Sequence, residues 1–174
     1  MKTVLKLTLA VVCVMFSTSL FAQKIGRINS QEVVVNMTEY KEAQTQLEAL
    51  AKDLQAQMET IQVEFNTKIQ EYQKGAETMT DAVRQLKEKE LNDLSTRLQE
   101  FQQVAQQELQ KKEQELMEPI IKKANEAITE VSKAGGYTVI FEAGQMIYFD
   151  EAQVKDISAE VKSKLGISAT AAAN

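Results

Sequence analysis

YKEAQTQLEALAKDLQAQMETIQVEFNTKIQEYQKGA, residues 40–76, decides the fold of this chain. Its apolar and small residues recur at Tyr40, Ala43, Leu47, Leu50, Leu54, Met58, Ile61, Phe65, Ile69, Tyr72 and Ala76, ten steps of three or four over 36 residues. That spacing, 3.6 residues per step, matches a straight α-helix better than the 3.5 of a supercoiling heptad. A second ladder follows: Leu91, Leu94, Leu98, Phe101, Ala105, Leu109, Lys112, Leu116, Ile120, Ala124, Ile128 and Val131, eleven steps over 40 residues, with Lys112 as its one charged member. Between Arg27 and Ala134 there is a single glycine, Gly75, expected to end the first helix in a left-handed conformation. Two narrow apolar stripes joined there predict an antiparallel helical hairpin. Each arm of about 36 residues spans about 54 Å at 1.5 Å per residue, too long to lie inside a globular core.

The flanks differ in pattern. Lys24–Ile28 reads as a short strand, and Asn29 with Glu32 three residues on opens a small helix carrying Val33, Val34, Val35 and Met37. Thr78, Thr80 and Asp81 open the second long helix, and Pro119 inside it is expected to kink it, since a proline in a helix interior costs about 3 kcal/mol. Gly135-Gly136 then ends the helical period. Tyr137–Phe141 and Met146–Phe149 read as strands apolar on both faces, and Ser158–Leu165 as a last amphipathic helix ending at Gly166. Ile25, Ile28, Val139, Phe141, Ile147 and Phe149 are the candidate body residues. One chain offers too little cover for strands apolar on both faces, so the body is expected to be oligomeric. The fold class is mainly α with a small β body, from which the hairpin arm projects. Residues 23–38 and 119–166 are assigned to the body, 39–118 to the arm with its tip near 75–80, and 167–174 to a flexible tail.

Ahead of this, Lys2 and Lys6, the apolar run Leu7–Phe16 and a close at Phe21-Ala22 read as a secretory signal peptide over residues 1–22. The run is too short to span about 30 Å of hydrocarbon. Val12 before Cys13 is not the small residue a lipoprotein signal requires. Cleavage at Ala22 removes the only cysteine, so the exported chain has no disulfide, and with no histidine or tryptophan it lacks the usual zinc ligands, thiol nucleophile and commonest general base. No stable membrane insertion is expected.

Charge is uneven. Residues 39–118 carry 10 Lys and Arg against 17 Asp and Glu, whereas the other mature segments carry 8 and 8. An acidic arm argues against nucleic acid, whose phosphates call for Lys and Arg. Carboxylates two apart, such as Glu88 with Glu90 or Glu113 with Glu115, point to different helix faces and make poor catalytic pairs. No phosphate-binding loop, nucleophile elbow or metal-ligand spacing is present. Catalytic, cofactor and metal sites are therefore all expected to be none, and the chain no enzyme. What remains are apolar residues off the seam: Val63 and Val104 along the arm, Met79 and Val83 near the tip. These are the candidate binding residues, suited to weak contact with unfolded chains.

In its body segments the chain resembles the Skp/OmpH family of periplasmic chaperones for outer-membrane proteins. Lys24–Asn29, the run from Pro119-Ile120-Ile121 through Ala127-Ile128 and Val131 to Gly136-Tyr137-Thr138-Val139-Ile140, and Val154–Val161 carry the likeness. The resemblance implies a homotrimer whose strands build a central β-barrel-like body. It also implies three arms around a cavity that holds unfolded outer-membrane proteins without ATP. The arm departs from the basic arms of the family, so lipopolysaccharide is not an expected partner. The alternative is a structural coiled-coil spacer or adaptor of the cell envelope.

Overall fold

The computed structural model describes residues 24–167. Their order is β1 (Ile25–Ile28), α1 (Ser30–Val35), α2 (Thr38–Gly75), α3 (Asp81–Ala134), β2 (Val139–Glu142), a 3-10 turn (Ala143–Gln145), β3 (Val154–Asp156) and α4 (Ser158–Lys164). The expected signal peptide and residues 168–174 of the expected tail lie outside the described residues. The fold is mainly helical with a small sheet. Its described residues divide into two compact units, residues 24–30 with 127–167, and Gln31–Glu126.

The second unit is the hairpin. Every ladder residue of α2, from Tyr40 to Ile69 and Tyr72, is buried or half-buried, with Ala43, Leu54 and Ile61 the most enclosed. The same holds along α3, where Leu94, Ile120 and Ala124 are buried and even Lys112 is half-buried. Polar contacts show the register. Tyr72 Oη donates to Glu88 at 2.7 Å, Lys68 pairs with Glu90 at 2.8 Å, Arg97 with Glu64 at 3.9 Å, and Lys123 with Glu39. The paired numbers add to between 158 and 162, so residue n faces a residue near 160 − n.

Gly75 turns the chain in a way the sequence reading did not expect. It is the last residue of α2 and keeps a negative φ, and Ala76 after it is still helical at φ −53° and ψ −37°. Glycine leaves room here: a Cβ would lie 2.6 Å from Met79 Cε, the mobile end of a methionine that folds back over the turn and would have to shift. Thr78 and Met79 donate their N–H groups to the Gly75 carbonyl at 3.0 and 3.1 Å, and Arg84 Nη2 closes the turn on the Ala76 carbonyl at 3.0 Å. Beyond it, α3 runs through Pro119 as one hydrogen-bonded helix.

In the first unit β1 is the central strand of three, in the order β2-β1-β3, parallel to both neighbours. Ile25 pairs with Val139 on one side and with Val154 on the other. Gly136, at φ +69°, makes the left-handed exit from α3 that a residue with a Cβ adopts only under strain. Glu142 accepts the Ser30 N–H at 3.2 Å at the start of α1, and Asp156 accepts the Ser158 N–H at 2.9 Å at the start of α4. Ile157 and Val161 are fully enclosed.

Two strand readings are corrected here. Met146–Phe149, expected as a strand apolar on two faces, is irregular, with Ile147 wholly exposed. The third strand is Val154–Asp156, inside the stretch read as the approach to the last helix.

The seam makes a direct prediction about stability. Replacing Lys112 with Leu adds apolar burial without disturbing an ion pair, and is expected to stabilise the hairpin by about 1 kcal/mol. Leu54→Ala, at a position 7% exposed, is expected to destabilise it by about 2 to 4 kcal/mol. Urea unfolding followed by circular dichroism at 222 nm reads both; equal midpoints for Lys112→Leu and the parent would contradict the register.

Candidate interaction surface

A 3.6-residue period sends ladder positions inward and everything out of phase with them outward. The exposed aliphatic side chains of the hairpin obey this. Val63 on α2 is 57% exposed, and on α3 Val83 and Val104 are 43% and 56% exposed. Met79 differs, being half-buried and packed over Gly75. Along the hairpin Val63 lies level with residues of α3 near 97 and Val104 level with residues of α2 near 56, so the two occupy separate stations rather than one patch. Leu86, 66% exposed, was not singled out from the sequence. It lies between the tip and the first ladder residue of α3, and its signal was the three-residue spacing from Val83, which puts both on one helix face. With Leu94 it lines a cavity of about 560 Å³ rimmed by Glu64, Lys89, Asp93 and Arg97.

In the sheet unit the outer strand β2 leaves apolar groups uncovered. Val139 and Phe141 alternate along β2 at 41% and 46% exposed, while Ile28 at the end of β1 is buried and Ile25 half-buried. Ile147 and Tyr148 are exposed in the loop that follows. Phe149 is held instead: the Arg27 guanidinium lies 4.2 Å over its ring, and Arg27 also pairs with Asp156 at 3.3 Å. Lys24 does likewise over Tyr137 at 4.3 Å and donates to the Gly135 carbonyl at 2.7 Å.

Electrostatics here are structural. Glu90 accepts from Lys68 and Lys87, and these hydrogen bonds hold its carboxyl below the usual 4.5 while raising Lys68. Lys123 lowers Glu39 in the same way. Lys164 lowers Glu130, Lys155 lowers Glu160, and the Glu88 carboxylate raises the Tyr72 phenol. Burial pushes Asp156 up, but hydrogen bonds from Ser158 and the nearby Arg27 outweigh it and leave the group lowered. These groups lie in exposed or partly exposed pairs rather than in an enclosed catalytic cleft. Among the described residues no group of three or more metal-ligating side chains could hold an ion. Nor is any helix among them long and apolar enough to cross a membrane.

A family model described as outer membrane protein (OmpH-like) matches residues 24–165. The chain belongs to the OmpH-like family. Its curated relatives include the chaperone protein Skp of Yersinia enterocolitica, 28% identical over 149 residues that cover 83% of this chain and 87% of the relative. Another is the chaperone protein Skp of Vibrio cholerae, 26% identical over 128 residues, covering 73% and 75%. Among solved structures, the OmpH-like protein of Caulobacter crescentus, assigned as an outer membrane chaperone, superposes with a TM-score of 0.72 at 16% identity, over 82% of this chain and 83% of that one. That likeness establishes an OmpH-like fold.

The lowered carboxylates give a pH dependence of known sign. Glu39 and Glu90 have folded-state values below 4.5, so unfolding takes up protons under acid, and their stabilisation is complete above 4.5 and drains away as pH falls through the lowered values. The melting temperature of the hairpin is expected to fall below about pH 4.5, and Glu39→Gln with Glu90→Gln to reduce that fall. Identical acid profiles for the variant and the parent, by circular dichroism, would show the pairs to be inert.

Proposed function

We propose that this OmpH-like chain is an ATP-independent periplasmic holdase that binds unfolded outer-membrane proteins and prevents their aggregation before membrane insertion. The observation that carries the reading is the family match over residues 24–165, together with relatives named as Skp chaperones along most of their length. The physical case agrees. An outer-membrane barrel before insertion exposes strand edges and alternating apolar residues, and a compartment without ATP must hold it passively. Separate, weakly apolar stations such as Val63, Met79, Val83 and Val104 suit a client with no fixed shape, because affinity then comes from many contacts rather than one pocket.

The body and arm are proposed to divide as residues 23–38 with 119–166 and residues 39–118, with cleavage after Ala22. Three copies are proposed to share the body, their strands building one β-barrel-like core around which three arms enclose the client. The open edges of the sheet and the exposed Val139, Phe141 and Ile147 support this, with Ile25, Ile28 and Phe149 as the remaining oligomerisation residues. An isolated chain leaves that apolar surface in water.

Dilution of a urea-unfolded outer-membrane barrel into buffer, followed by light scattering, tests the holdase. Aggregation is expected to be suppressed at molar excess of the chain and without nucleotide. Undiminished scattering overturns the reading, and a defined folded partner with no affinity for unfolded chains would put the spacer in its place. Met79→Ser with Val83→Ser is expected to weaken capture while the mass by analytical ultracentrifugation stays that of a trimer. A monomeric parent would contradict the shared body.

A further inference from the structure

The hairpin surface carries more unpaired carboxylates than unpaired cations among the described residues. Of the ten cations on residues 39–118, Lys68, Lys87 and Arg97 are drawn into pairs with carboxylates of the facing helix, Arg84 is turned onto the Ala76 carbonyl, and Lys112 is half-buried in the seam. Glu64, Glu71 and Glu90 are the carboxylates of those pairs, and many others have no such partner. Glu48, Glu59, Glu100, Glu108 and Glu113 are all exposed and form no ion pair among the described residues. Exposed lysines outside any ion pair, Lys41, Lys52, Lys74 and Lys89, are fewer than such carboxylates among the described residues, so the hairpin surface keeps the acidic excess of its composition.

These carboxylates also flank two of the exposed aliphatic stations, Val104 on both sides and Val63 on one. Glu100 and Glu108 lie four residues before and after Val104, and Glu59 lies four before Val63, which places each on the same helix ridge as its valine. An apolar contact bracketed by negative charge fits an apolar side chain bracketed by positive charge, and opposes one bracketed by carboxylates. We infer that the hairpin selects unfolded chains whose apolar residues are flanked by Lys or Arg. This rests on the holdase reading and names the class of client within it.

The test uses two fluorescein-labelled unstructured peptides with the same Leu and Phe positions, one carrying lysine and the other glutamate at the positions between. Fluorescence anisotropy with the full-length mature protein is expected to give about tenfold tighter binding of the lysine peptide at about 0.01 M salt, a difference lost near 1 M where screening acts within about 3 Å. Glu100→Lys with Glu108→Lys, both exposed and off the seam, is expected to narrow the preference without altering helicity. Equal binding of the two peptides by the parent at low salt, or tighter binding of the glutamate peptide, overturns the charge selection and leaves the holdase standing. Binding of neither peptide overturns both.

Discussion

The apolar seam between α2 and α3 is the constraint on which the rest of the hairpin depends. Because its period is that of an unstrained helix, the two stripes stay opposed over their length without supercoiling far. One register then satisfies Tyr72 with Glu88, Lys68 with Glu90 and, near the other end, Glu39 with Lys123. Surface ion pairs of this kind contribute little stability each. They follow from the seam: once the ladders fix which residues meet, the side chains beside them pair where their charges permit. The same geometry decides which aliphatic residues are left outside, since Val63 and Val104 are simply out of phase with it.

How much could be read in advance depended on how far each pattern repeats. Eleven ladder positions reinforce one another, so both long helices and their antiparallel pairing were legible in the residues. Three-residue elements have no such redundancy, and Val154-Lys155-Asp156 is a strand only because β1 lies beside it. The reverse error at Met146–Phe149 has the same origin. An apolar run suits a strand, but a strand also requires a partner, and among the described residues the sheet is complete as β2-β1-β3 without this segment. Gly75 was legible as a turn, though its reason was not: a close approach by Met79 depends on a rotamer four residues on, not on the local backbone. Among the interaction residues, Val63 and Val104 stood out by phase. Leu86 precedes the ladder, as Val83 does, and its one signal was the three-residue spacing from Val83.

An OmpH-like fold at 16% identity to a solved relative is intelligible on these grounds. The hairpin asks for apolar or small residues at every third or fourth position and for helix-compatible residues elsewhere, which most of the chain can meet in many ways. Surface charge is among the freest variables, so an acidic arm is compatible with the family fold.

The position of β1 has a consequence for how the chain acquires its structure. Ile25 finds its neighbour Val139 only 114 positions later, and its other neighbour Val154 later still, so the central strand is the first made and the last to be completed. Closing so long a loop in a random chain carries an entropic penalty, and non-local parallel pairing is slow. The hairpin removes most of that distance. Its contacts are built by zipping outward from the turn at Gly75, each new pair only slightly more remote than the last, until Glu39 and Lys123 meet. The segment left to search is then a few short connections rather than the whole intervening chain. The long helices thus shorten the search for a sheet of eleven residues, and the topology favours the order turn, seam, then strands.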